Sequence, residues 1–180
     1  MKKQSLFICV LIAGLYVSVS TVAMAAPPKI AGSDKLVKLK NLKDAPLLIK
    51  VAFLPLTQGE IELFLSKAHA VANWLKANKG PWKEAKTGDI SKIKGLGMWK
   101  NVGIRWNDYL AIVTKIGFAK QLSLQGVEGM QKQLEEGKKK LALIAASDPK
   151  MKEALALIDL ILPMLKTYPK TNLELYKKNQ

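Results

Sequence analysis

The apolar residues of this chain recur every three or four positions, in runs that begin and end on helix-boundary residues, and that pattern restricts it to helices. The clearest run opens at Thr57-Gln58-Gly59-Glu60. A threonine oxygen at the N-cap accepts from one free backbone N–H, and a glutamate three residues on reaches back to another, which is a capping box. Leu56 and Ile61 stand where a hydrophobic staple would close that start. Ile61, Phe64, Leu65, Ala68, Val71, Ala72 and Leu75 follow along one face, and Gly80-Pro81 stops the run.

A second helix is predicted from about Met98 to Gly117, with Trp99, Val102, Gly103, Trp106, Leu110 and Val113 inward. Glycine costs helix propensity, so Gly103 is read as a point where another helix or a tryptophan packs close. The third helix is expected from a Ser123 cap, with Val127, Met130, Leu134, Leu141 and Ala145 buried. On its outer side Glu128-Lys132, Glu135-Lys139 and Glu136-Lys140 set each acid four residues before a base, the favourable order. The run Lys138 to Lys140 is therefore a paired, solvated face. The fourth helix opens at Ser147-Asp148-Pro149 and continues to about Thr167, with Pro163 bending its end. Thr171-Asn172-Leu173-Glu174 repeats the capping-box pattern and starts a short C-terminal helix. Together these give an all-α fold, a four-helix-type bundle.

Ahead of the bundle, residues 26–46 form an extended basic arm in which Leu36, Leu39 and Leu42 could make a turn or two on docking. An apolar strap, Leu47 to Phe53, lies between Pro46 and Pro55 and is either extended or a brief helix. Residues 1–25 have the parts of a secretory signal peptide: Lys2 and Lys3, an apolar run from Leu6 to Val17, then Ala23-Met24-Ala25 before an expected cut at Ala26. The run is shorter than the roughly 20 apolar residues an anchor needs. The expected division is a signal peptide (1–25), an arm and strap (26–56) and a helical domain (57–180), located in the periplasm.

Cleavage would remove Cys9, the one cysteine, and with it disulfides, thiolate metal sites and cysteine nucleophiles. A chain of this length buries a core without such staples. Of 29 Lys and Arg residues, 27 remain once Lys2 and Lys3 are gone, against 14 acids, for a net charge of +13. Arg105 is the only arginine. Arginine forks read phosphates and bases, whereas lysine acts as a hydrated point charge, so specific nucleic-acid recognition is not expected. Diffuse attraction to anionic lipid or polysaccharide, as a peripheral membrane contact, is compatible with the charge.

Little catalytic chemistry is on offer. His69 is the only histidine, at the edge of the first helix's apolar stripe, with Glu62 two turns away. Haem would need His69 together with Met130 or Met164. Glutamate-x-x-histidine pairs for a di-metal centre do not occur. No catalytic, cofactor-binding or metal residue is assigned. The candidate binding residues are apolar ones away from the main stripes: Leu63 and Trp74 on the first helix, and Leu157, Leu160 and Met164 on the fourth. Those last three point nearly opposite to Met151, Leu155, Ile158, Ile161, Leu162 and Leu165. A helix apolar on two sides is either central or presents a surface to something else.

Leu56-Thr57-Gln58-Gly59-Glu60 leading to Phe64-Leu65, the stretch from Trp99 to Trp106, and the closing Pro169-Lys170-Thr171-Asn172-Leu173-Glu174-Leu175 resemble a family of small exported bacterial helical proteins with no established activity. That resemblance implies a periplasmic α-bundle. A weaker likeness is to periplasmic envelope-stress chaperones, which carry leucine-threonine-x-x-glutamine where this chain has Glu60. The expectation is a non-enzymatic periplasmic binding or interaction protein, its partner a protein or an apolar or anionic envelope component. The alternatives are a small helical cofactor carrier or enzyme using His69, and a chaperone-like protein.

Overall fold

The computed structural model describes residues 30–38, 45–77, 97–143 and 149–180, and among them every regular element is helical. A 3₁₀ turn at Lys35–Lys38 precedes α1 (Ala45–Ala52), α2 (Gln58–Ala77), α3 (Met98–Val102), α4 (Trp106–Ala142), α5 (Pro149–Leu165) and α6 (Lys170–Lys178). The signal segment with residues 26–29, residues 39–44 with Leu39 and Leu42, residues 78–96 with the Gly80-Pro81 stop, and residues 144–148 with Ala145 and the Ser147-Asp148 cap lie outside the described residues.

The capping box forms as its sequence requires. Glu60 N–H donates to Thr57 Oγ1 at 3.2 Å, and Thr57 N–H donates to Glu60 Oε2 at 3.0 Å. Leu56 and Ile61 are both buried beside it. The strap is helical: α1 buries Leu48, Val51 and Ala52. Part of the arm is also packed rather than extended, since Ile30 and Leu36 are buried in the same cluster as α1.

The helix at the centre is α4, not α5. It packs against α1, α2, α5, α6 and the 3₁₀ turn. Every residue from Leu110 to Ile116 is buried, followed by Phe118, Ala119 and Leu122. A helix enclosed all round needs apolar residues all round, which the run Leu110-Ala111-Ile112-Val113 supplies. Two apolar clusters result. One joins α1, α2, α3 and the first half of α4, and the other joins Ala52, Phe53, Phe118, Leu122, Met130, Ile161, Leu165 and Tyr168.

Two glycines correct the expected helix boundaries. The expected 98–117 helix breaks at Gly103, which takes the left-handed conformation (φ 72°, ψ 36°) and donates its N–H to Trp99 and Lys100 carbonyls. A Cβ there would meet only Lys67 Nζ, at 3.5 Å, so the glycine serves the backbone turn and not a close approach. Ser123 does not start a helix. It lies inside α4 with Oγ donating to Lys120 O at 2.7 Å, and the interruption falls at Gly126 instead (φ 73°, ψ 166°).

That interruption changes the register of the buried stripe. Before it, Lys115, Phe118, Ala119 and Leu122 face the core; after it, Val127, Met130, Leu134, Gly137 and Leu141 do, at least in part. An unbroken helix would have continued through Gly129, Gln133, Glu136 and Lys140, all of which are exposed. Gly126 is thus one residue set aside, turning the distal arm by about 100° relative to a straight helix. The expected pairs Glu128-Lys132, Glu135-Lys139 and Glu136-Lys140 are not ion pairs among the described residues, although the helix is regular through all six positions. Lys138 bridges instead to Asp159 of α5 at 2.6 Å, and Gln131 donates to Glu135 at 2.9 Å.

The last helix starts at Lys170 with Pro169 as N-cap and no side-chain cap, so the Thr171–Glu174 box does not form. Asn172 is fully buried and serves another purpose.

Candidate functional site

Two polar centres compete for attention, and burial separates their roles. The first surrounds the connection between α1 and α2, where the backbone leaves its helix and needs other partners. Lys115 Nζ, from the middle of α4, donates to Glu60 Oε1 at 2.6 Å and to Pro55 O at 3.2 Å. Asn172 Oδ1 accepts from Leu56 N–H at 2.7 Å, while its Nδ2 donates to Leu54 O at 3.0 Å and to Tyr168 Oη at 3.4 Å. Leu54, Pro55, Leu56 and Thr57 are therefore each held by a side chain distant in sequence or by the capping box.

The Lys115 and Glu60 side chains are 0% and 1% exposed. Burial pushes the Lys115 ammonium below the usual lysine range, and the bond to Glu60 only partly opposes that. The Tyr168 phenol is likewise pushed up to about 12 by burial, against a smaller opposite effect of Asn172. A centre that solvent does not reach, with its polar atoms committed to backbone, holds the fold together and does not meet a substrate. The sequence reading missed Lys115. Its signal was present: the one charge in the stretch Leu110 to Ala119, whose other residues are apolar or small apart from Thr114, opposite a capping-box glutamate with a second oxygen to spare.

The second centre is open. A groove of about 470 Å³ lies between the distal arm of α4 and α5, lined by Gln125, Met130, Gln133, Leu134, Glu136, Gly137, Lys140 and Ile158. Met130, Leu134 and Ile158 give it an apolar floor, and two amides, an acid and a base surround them. The turn at Gly126 creates it by bringing one edge of the distal arm against α5. Leu124 and Leu143, near the two ends of that arm, are 72% and 85% exposed.

The five candidate binding residues fall in different places. Leu63 is buried at 5% exposure, in the same cluster as Met98 and Trp99, because α2 is covered by α3 as well as by α4. It is a core residue, which corrects the expectation of an outward one. Trp74 is half-buried and packs on that cluster. Leu157 and Leu160 are half-buried on α5, and Met164 packs partly on the second cluster. The α5 residues thus share an element with the groove, and the two α2 residues do not.

His69 is exposed on α2, while Met130 and Met164 belong to the second cluster, to which no α2 residue contributes. The structure does not bring these groups together for a haem. Arg105 forms a two-pronged pair with Asp108, at 2.7 and 2.9 Å, at the start of α4. No group of three or more His, Cys, Asp or Glu residues that could hold a metal ion occurs among the described residues. Near that helix start the Trp99 ring packs, tilted, against Trp106 at 5.1 Å and Tyr109 at 5.6 Å, and the Tyr109 hydroxyl pKa is pushed up to about 12 by burial. Trp106 Nε1 and Asn107 Oδ1 are buried there with no hydrogen-bond partner.

What these features define is an all-α domain organised on one long helix, with a closed polar junction and an open groove. No protein-family model, curated protein or solved structure matches the chain.

Proposed function

We propose that the protein is a non-enzymatic binding protein of the bacterial periplasm, exported by residues 1–25, that engages an apolar partner carrying negative charge. The observation that carries this reading is α5. Ile158, Ile161 and Leu165 are buried, Leu157 and Leu160 stay half-buried on the same helix, as does Met164 where it packs on the second cluster, and Ile158 also helps floor the open groove against α4. A continuous strip of part-exposed apolar side chains next to an open groove is the kind of surface that a partner covers. The lysine excess supplies the electrostatic half, drawing acidic proteins or anionic lipid without selecting among them. No helix among the described residues is long and apolar enough to cross a membrane.

The test is Leu160→Lys. Under this reading the variant keeps its helix content and melting temperature but loses association with envelope material, and vesicle binding by the wild type weakens steeply with salt. A variant that collapses would place Leu160 in the core and remove the main support. Vesicle binding indifferent to salt would remove the electrostatic part.

A further inference from the structure

We propose that Gly126 is an exchange hinge, through which everything after it can leave its own core and complete that of a second copy of this chain. The residue holds φ 73° and ψ 166°, a conformation open essentially to glycine alone. A Cβ at that position would meet nothing within 4 Å, and the residue is exposed, so no packing locks the turn. It is the one non-helical residue in an otherwise continuous run from Trp106 to Ala142. Closed and straight forms of α4 thus differ at a single unencumbered residue.

A straight α4 would be about 55 Å long. It would turn the stripe of Met130, Leu134 and Leu141 away from its own core by about one residue's rotation, roughly 100°. Within one chain the straight form therefore cannot remake the second cluster. Between two chains it can. Phe53 and Phe118 meet Tyr168 at 5.4 and 5.5 Å, Asn172 holds Leu54 and Leu56, and the Gln58 and Asn179 amides pair at 3.2 and 3.3 Å. Each of these contacts joins a residue before Gly126 to one after it. An opened copy exposes both halves of that interface, and the surface with the matching aromatic, amide and apolar groups is the same interface on a second opened copy. Exchange returns every contact in trans, leaving the hinge conformation and protein concentration to decide between monomer and dimer.

Gly126→Ala tests this, because alanine is strained in the turn and favoured in a straight helix. The expected result is a dimer with the helix content of the wild type, seen by light scattering after size exclusion, with a dissociation constant lowered about tenfold or more. Gly129→Ala is the control, since that glycine is helical and a Cβ would make only an ordinary 3.6 Å contact with Gln125; it should keep the oligomeric state of the wild type, with stability equal or slightly higher. A Gly126→Ala protein that stays monomeric at all concentrations and only melts earlier overturns the proposal. Should that variant fail to fold, isotopically heavy and light wild-type protein can be mixed, partly unfolded in urea at high concentration and returned to buffer. Native mass spectrometry should then find mixed dimers that persist on dilution. Monomers alone, or dimers that fall apart at once on dilution, overturn it.

Discussion

Lys115 Nζ and Glu60 Oε1 lie 2.6 Å apart with neither side chain reaching solvent, joining the middle of α4 to the first turn of α2. Because Glu60 also caps its own helix and Lys115 also holds Pro55 O, the pair fixes where α2 begins relative to the central helix. Removing one partner leaves a buried charge unmatched, which costs several kcal/mol, whereas replacing both can be nearly neutral. Lys115→Ala should therefore destabilise by about 3 kcal/mol or more. Lys115→Met combined with Glu60→Gln, which keeps the volume and the capping oxygen, should recover most of that loss. Urea midpoints of Lys115→Met, Glu60→Gln and the variant carrying both give the coupling.

Asn172 repeats the logic at the other side of the same connection. Asn172→Ala strips the partners of Leu56 N–H and Leu54 O, and should cost about 1–3 kcal/mol for buried groups left unpaired. Thr171→Ala, at an exposed position with no capping bond to lose, should leave the urea midpoint within error of the wild type.

Buried Tyr168 and part-buried Tyr109 set an alkaline limit. Tyr109 and Tyr168 are raised from 10 to about 12, so between those pH values the unfolded chain releases protons that the folded chain keeps. Stability then falls as pH rises through that window, by roughly 2 kcal/mol per tyrosine at its upper end. Lys115, lowered in the folded state, acts with the opposite sign below its unfolded value. Denaturation midpoints at pH 8 and pH 11 should show the drop, and Tyr109→Phe should make it shallower.

Glycine substitutions separate conformation from space. Gly103→Ala forces a left-handed alanine into open surroundings and should cost about 1–2 kcal/mol. Gly32→Ala meets the same penalty at φ 87°, and its Cβ would also sit 2.6 Å from Leu54 Cδ1, so its melting temperature should fall further.

The helices were legible because their starts and stripes are local: the Thr57 box, the Leu56–Ile61 staple and the Met130–Leu134–Leu141 stripe need only neighbouring residues. Their interruptions were not. A glycine inside a helical pattern looks the same whether it packs closely or turns left-handed, and so Gly103 and Gly126 could not be told from helical glycines. Lys115 escaped for a related reason, since periodicity assigns faces and α4 is buried on every face between Leu110 and Ile116. Of the candidate surface, Leu157, Leu160 and Met164 were visible as a second apolar side of α5. The groove was not, because its lining exists only once Gly126 has turned the distal arm against that helix.

Native mass spectrometry of the protein purified gently from its own envelope fraction, alongside a Leu160→Lys, Met164→Lys variant, bears most directly on the binding reading. The account predicts chains beginning at Ala26, with the wild type carrying the added mass of a ligand or partner that the variant lacks. Bare monomers in both preparations, or the same added mass on both, would contradict it.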